Sequence, residues 1–546
     1  MQKCYNKTVS EVKRQTPKSL GKATYTYLRL QGGDFLKLVL FSYNASHYHT
    51  NLAIRALRSA AGDLEIHPDV SVLEFSLKDK RDTVLHALYR EDAPVYGFSA
   101  YIWNINETLS VAESLKKLRP DCKIFFGGPE VSFRADEVLE KHPFIDTVIV
   151  GEGEEGIKKL LSAYPDLPRK IHGAPDSLFL SRRPHYFLEN GTPEALPSGK
   201  FVYYESSRGC PFSCGYCLSG SDCTVRAKSA EDALADLYEF EKLNNDGGRT
   251  VKLVDRTFNY DLPRAKKIWR GLLDKKYTCR YHFEIQPSII DSEALEILSH
   301  APEGKFQLEA GIQSTDSVVL AECGRGGNIK KELENLKKLK AIKNVPVHVD
   351  LICGLPLDSF ESIKRSVNEV YHLSDELQIG FLKLLSGTKI ADNADKYGIK
   401  YRSEPPYEVL CTSTLSFDEL YLLKGIAHTV DRVKNSGKFT LALDFLLGNI
   451  SGNTETDTSD NSTPVPPFTN AYVSPFDFFM SLSMSLGGNP AAYSQAAIYE
   501  KVYSEGLKYV ENAEERERYA EYCREDFRRC ERTRMPPLLA CGTVKK

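Results

Sequence analysis

The sequence contains no run approaching the ~18 apolar residues that a membrane span needs. Residues 1–18 carry charges where a secretory leader would place an apolar core. These absences predict a cytoplasmic protein with no membrane span. There is no excess of either charge: 71 Lys and Arg stand against 74 Asp and Glu, a net charge of -3. No global field therefore advertises a nucleic-acid partner. Tryptophan is scarce, with only Trp103 and Trp269. At 42% hydrophobic and 27% charged, the chain is too apolar to be disordered. Its 546 residues predict about three to five domain-sized units at roughly 100–200 residues each.

Thirteen cysteines are present, and a reducing compartment leaves metal binding, catalysis or burial to explain them. Most lie far apart. The exception is SSRGCPFSCGYCLSG, where Cys210, Cys214 and Cys217 form C-x3-C-x2-C. Three thiolates on one short loop can hold three irons of a [4Fe–4S] cluster and leave the fourth iron open. A structural zinc site would want a fourth protein ligand, and Cys223 has the wrong spacing for it.

Organisation along the chain agrees with a cluster loop at a strand end. From Leu36 to about Tyr164, five β-rich runs (36–42, 70–75, 94–99, 123–128 and 146–150) alternate with helical spacing. They predict a doubly wound, Rossmann-like parallel α/β sheet that binds ligand at its strand C-termini. A second series has apolar runs at 201–206, 250–255, 281–285, 305–310, 346–352 and 377–385. Its first helix opens at Ser229, with Asp232 three residues on, close to a capping box. Six βα units are too few for the eight-stranded barrel, so a partial (β/α)6 TIM-type barrel is expected. The expected division is an extension at 1–35, a first α/β domain at 36–164, a linker at 165–199, the partial barrel at 200–395 and a mainly helical region at 396–546. Within the last, 451–467 is rich in Ser, Thr, Asn and Pro and reads as an exposed loop.

A C-x3-C-x2-C loop after the first strand of a partial barrel, with Tyr216 ahead of the last cysteine, resembles the radical S-adenosylmethionine (SAM) superfamily. The five-unit βα domain before it resembles the cobalamin-dependent members of that superfamily, in a subgroup with an extra C-terminal helical domain. The resemblance implies three cofactors: a [4Fe–4S] cluster on Cys210, Cys214 and Cys217, SAM on its open iron, and cobalamin in the first domain. It implies that one electron cleaves SAM to a 5′-deoxyadenosyl radical, which takes a hydrogen atom from the substrate. An electron donor such as flavodoxin or ferredoxin would supply that electron.

The same resemblance assigns SAM contacts to Tyr216, to Asp255 and Asn259 after strand two, and to Glu284 after strand three. It adds Glu309, Gln313 and Ser314 around strand four, Gly354 in ICGLP and Leu385 in LLSGT. Each of these alone also fits a residue that simply solvates a strand end. Corrin contacts are implied for Tyr101 and Trp103, and for Gly127, Gly128, Gly151 and Gly153, where small residues allow a flat ring to approach. Ordinary core packing is the alternative for Trp103. No D-x-H-x-x-G string occurs, so no histidine is supplied to cobalt in the usual way; His47 and His49 lie in the first loop.

GEGEEG at 151–156 satisfies G-x-G-x-x-G but follows the fifth strand, and its glutamates would repel a diphosphate. A nicotinamide or flavin dinucleotide is therefore not expected. A tRNA methylthiotransferase would need three N-terminal cysteines for a second cluster, and only Cys4 and Cys122 precede Cys210. An auxiliary cluster on Cys411, Cys523, Cys530 and Cys541 would lack any C-x2-C pair. The leading expectation is methylation of an unactivated carbon, with cyclisation or rearrangement on the same cofactors as the alternative. The substrate is left open among small-molecule, lipid-like and peptide classes.

Overall fold

The computed structural model describes residues 36–540 except 66–67, 189–190, 222–223, 245–247 and 449–471. The extension at 1–35, the polar loop at 451–467 and Cys4, Cys223 and Cys541 lie outside the described residues.

The first sheet has six parallel strands: β1 (Lys37–Asn44), β2 (Asp69–Ser76), β3 (Val95–Ser99), β4 (Lys123–Gly127), β5 (Thr147–Val150) and β6 (Lys170–His172). Their order is β2-β1-β3-β4-β5-β6, with the chain reversing direction across the sheet after β2. Five strands were expected. The sixth is three residues long with only Ile171 buried, too short for an apolar period to show. Two apolar clusters cover its two faces, one around Val39, Phe41 and Phe98 and the other around Leu38, Leu40 and Ile157. This burial on both sides is why the strands read as near-continuous apolar runs.

The second sheet begins with β7 (Val202–Tyr204), after which β8 (Ser207–Arg208) and β9 (Arg226–Ala227) form a short antiparallel pair around the cysteine loop. It continues through β10 (Thr250–Leu253), β11 (Arg280–Ile285), β12 (Phe306–Gln313), β13 (Val347–Cys353) and β14 (Glu376–Phe381). The six strands run β14-β13-β12-β11-β10-β7, all parallel, as a partial barrel. Its two faces differ. Along β12, Phe306, Leu308, Ala310 and Ile312 are buried while Gln307, Glu309, Gly311 and Gln313 between them are half-buried. Alternation of this kind in a parallel sheet marks one face covered by helices and a concave face that lines a cavity.

The C-terminal region is helical, with helices Phe417–Val433, Thr440–Leu447, Pro475–Ser485, Gln495–Gly506 and Ala513–Cys530. Two short strands precede them, β15 (Lys400–Tyr401) and β16 (Val409–Cys411). The apolar core of the barrel continues into these helices without a break. Beyond β14 the chain doubles back: Leu384 N donates to Tyr407 O at 3.0 Å and Val409 N to Leu382 O at 3.0 Å. Among the described residues no helix is long and apolar enough to cross a membrane.

Candidate functional site

The cysteine loop is held at both ends and at its middle. Before it, Asp255 accepts from Ser206 Oγ at 2.7 Å, from Ser207 Oγ at 2.8 Å and from the Ser207 amide. Gly209 adopts φ +101, and a Cβ there would meet the Thr224 carbonyl at 2.0 Å, so the turn into the loop requires glycine. Midway, Gly215 N donates to Cys323 O at 2.7 Å and Ile390 N to Gly215 O at 3.0 Å.

Cys210, Cys214 and Cys217 are free, partly exposed thiols on the wall of a cavity of about 200 Å³. No three His, Cys, Asp or Glu side chains among the described residues close on a single-ion point. A four-iron cluster makes a different demand, since each thiolate takes a separate iron and the sulfurs must surround a space. The three cysteines line one cavity, which fits that demand. Burial raises the Cys210 thiol, which lies 3.7 Å from Thr257 Oγ1. Burial also raises the Tyr216 phenol, which bonds to Cys214. Iron would have to displace the Cys210 thiol proton.

The structure divides the residues assigned to SAM. Tyr216, Glu284, Glu309 and Gln313 line the cysteine cavity. Asp255, Asn259, Ser314, Gly354 and Leu385 do not. Asp255 is fully buried and spent on the serine strap, its carboxyl pushed up to about 6 by burial. Asn259 is also buried, bracing Gln286 by two backbone bonds of 3.0 and 2.8 Å. Ser314 Oγ caps the Asp316 amide, Gly354 makes a left-handed turn against Val409, and Leu385 N closes a turn onto Lys383 O. The placement gives each of these five a structural tie within the fold. The sequence could not separate a strand-end residue facing the cavity from its neighbour facing inward.

Several cavity residues escaped sequence reasoning. Arg256, Thr257, Gln286, Gly311, Arg325 and Asp350 share the wall. Glu309 lies 3.0 Å from His282, and Asp350 lies 3.2 Å from His348. Glu284 has no ion-pair partner among the described residues, and burial pushes its carboxyl up to about 7 against the opposing charge of Arg256. Gln313 stands at φ +70, and its Oε1 is buried without a hydrogen-bond partner, an acceptor awaiting a donor.

A second cavity, of about 630 Å³, opens where the C-terminal ends of the first sheet face the barrel. All six residues assigned to the corrin line it: Tyr101, Trp103, Gly127, Gly128, Gly151 and Gly153. Tyr101 and Trp103 stack at 4.4 Å, 8° from parallel. Trp103 is 51% exposed, which excludes core packing. The glycines have structural duties as well. Gly128 (φ +115) passes the Ala100 carbonyl, where a Cβ would lie at 2.4 Å, and a Cβ on Gly153 would meet Leu57 at 2.7 Å. Gly127 and Gly151 both have room for a methyl, but Gly151 stands at φ +87, so Gly127 alone would take one without strain. His47 lies outside the cavity, near Asp79; His49 lines it, but its Nδ1 bonds to the Tyr203 hydroxyl.

Two glutamates of GEGEEG, Glu152 and Glu154, face arginines that flank the cysteine loop, while Glu155 pairs with Lys158. Arg208 lies 2.7 Å from both Glu152 and Glu154, and Arg226 also pairs with Glu152. The first sheet is thereby fastened to β8 and β9. Arg208, two positions before Cys210, was the overlooked signal.

A B12 binding domain model matches residues 42–161, and a radical SAM superfamily model matches 204–370. The chain thus carries a B12-binding domain ahead of a radical SAM domain. A third model, a protein of unknown function (DUF4080), matches 395–454.

Among curated proteins, the 2-(S-pantetheinyl)-carbapenam-3-carboxylate methyltransferase of Streptantibioticus cattleyicolor is 28% identical over 311 residues, 51% of this chain and 45% of that protein. The chain spans about half the length of such curated relatives. Among solved structures, the radical SAM methyltransferase TsrM from Kitasatospora setae, with cobalamin and a [4Fe–4S] cluster bound, has a TM-score of 0.54 at 16% identity. It covers 68% of this chain and 82% of its own. The cobalamin-dependent SAM radical enzyme OxsB, with aqua-cobalamin bound, has a TM-score of 0.53 at 13% identity, covering 90% of this chain and 80% of its own. At these identities the two structures define the shared fold.

Proposed function

We propose that this chain is a cobalamin-dependent radical SAM methyltransferase acting on an unactivated carbon. The observation that carries the reading is the junction of two cavities. One is ringed by the cysteine triad, the other lies over the strand ends of a B12-binding domain, and Arg256 lines both. Cofactors in two such cavities would bring a SAM-derived radical and a transferable methyl group to one point in space.

The chain's own residues would do the holding. Cys210, Cys214 and Cys217 would bind three irons and leave one for SAM. Glu309, Glu284 and the orphaned Gln313 Oε1 would take up the hydrogen-bond donors of SAM. The stacked Tyr101 and Trp103 would hold the corrin and shield it from water. A one-electron donor of the flavodoxin or ferredoxin class would reduce the cluster.

The test is to incubate the reconstituted enzyme anaerobically with SAM, a one-electron reductant and candidate acceptors. Methyl transfer yields both S-adenosylhomocysteine and 5′-deoxyadenosine. Formation of 5′-deoxyadenosine with no S-adenosylhomocysteine under turnover would point instead to cyclisation or rearrangement.

A further inference from the structure

Three arginines line the two cavities, and two of them are spent. Arg208 bonds to Glu152, Glu154 and Glu205. Arg325 is held by Glu332 at 3.1 Å and by Gln286 at 3.3 Å. Among the described residues the Arg256 guanidinium makes no hydrogen bond or ion pair; only its backbone carbonyl is engaged, accepting from Thr257 Oγ1 at 2.8 Å. Arg256 is also the one described residue common to both cavity walls.

Its position is not accidental slack in a loop. Asp255 on one side is buried and strapped to Ser206 and Ser207, and Thr257 on the other lies against Cys210. The backbone is fixed at both neighbours while the guanidinium between them is left exposed. A residue dedicated to SAM would line the cluster cavity only, and one dedicated to the corrin would line the other only. A group on both walls stands where a substrate carbon must sit to meet both reactive centres.

We propose that Arg256 is the substrate anchor, and that the substrate carries a carboxylate, which this guanidinium receives through two parallel N–H donors. This rests on the two-cofactor reading above. A single planar fork matches a monoanionic carboxylate. A phosphate dianion fits poorly, because Glu284, Glu309 and Asp350 face the same cavity and, among the described residues, no second cation free of ion pairs lines either wall. SAM also has a carboxylate, and the experiment separates the two sources.

The test uses reconstituted holoenzyme and a matched probe pair, 3-phenylpropionate and 3-phenylpropionamide, with binding followed by saturation-transfer NMR. The expected result is that the acid binds at least tenfold more tightly than the amide. Arg256→Gln should erase the preference, Arg256→Lys should retain part of it, and SAM affinity by equilibrium dialysis should stay within twofold of the parent. Equal binding of acid and amide, no acid binding, or a preference that survives in Arg256→Gln overturns the proposal. Loss of SAM binding in Arg256→Gln overturns it too, by giving the guanidinium to the SAM carboxylate. Absorption spectra of the same samples keep the cases apart: missing corrin or iron–sulfur bands refute the cofactor reading, and intact bands without acid selectivity refute this anchor alone.

Discussion

Arg208 Nη2 lies 2.7 Å from Glu154 Oε1, joining the strand that leads into the cysteine triad to the glycine-rich turn of the first sheet. The Glu154 side chain is 6% exposed, and that of Arg208 20%. The pair therefore lies where an uncompensated charge is costly.

Arg208→Gln should lower stability by about 3 kcal/mol, because it leaves a buried carboxylate without its cation. Burial alone would raise the Glu154 carboxyl, but the charge and hydrogen bonds of Arg208 outweigh it and hold the carboxyl below the usual range. Its contribution is present above the ordinary glutamate pKa and is lost as pH falls through the lower folded value. Urea unfolding as a function of pH should show the gap between parent and variant narrowing at acid pH. A gap independent of pH would contradict the pairing.

Alanine at any one of Cys210, Cys214 or Cys217 should remove the iron–sulfur absorption and reduce SAM cleavage to background. Cys323→Ala should retain both. Cys323 is buried and raised to about 12 by burial, and its hydrogen bond to the loop comes from its carbonyl, which accepts from Gly215 N. Retained 5′-deoxyadenosine formation in a triad variant would contradict the cluster assignment.

Glu284 sets a pH dependence of opposite sign. Its carboxyl is raised to about 7, so its contribution to stability is full below the ordinary glutamate range and is lost as pH rises through about 7. Glu284→Gln should stabilise the cofactor-free protein above pH 7 by about 1 to 2 kcal/mol, allowing for solvent in the cavity. Calorimetry in buffers of different ionisation enthalpy should also detect proton release when SAM binds near pH 6.5. That release should vanish in Glu284→Gln.

Gly127→Ala and Gly128→Ala separate folding from cofactor binding. The Gly127 methyl would have 3.8 Å to its nearest neighbour, whereas at Gly128 it would meet a backbone oxygen at 2.4 Å with φ at +115. Gly128→Ala should lower the melting temperature through a loss of about 2 to 3 kcal/mol. Gly127→Ala should melt as the parent does but retain less corrin after gel filtration.

Much of this was legible in the sequence for physical reasons. The strands of both sheets are apolar on one or both faces, so all but β6 announced themselves. The cysteine spacing and the Ser229 cap rest on local geometry, and the Ser229 side chain does accept from the Asp232 amide. What was hidden depends on direction. In VDRTFN it is Arg256 that lines both cavities, whereas Asp255 and Asn259 are buried and brace the neighbouring loops. The roles of Glu152 and Glu154 were equally hidden, since their arginine partners lie more than fifty positions away.

The central claim is that two cofactor cavities meet in this chain. The most direct measurement is ultraviolet–visible absorption after anaerobic reconstitution with iron, sulfide and hydroxocobalamin, followed by desalting. The account predicts corrin bands retained at one equivalent beside an iron–sulfur shoulder. Corrin lost on the column while the cluster remains would contradict it.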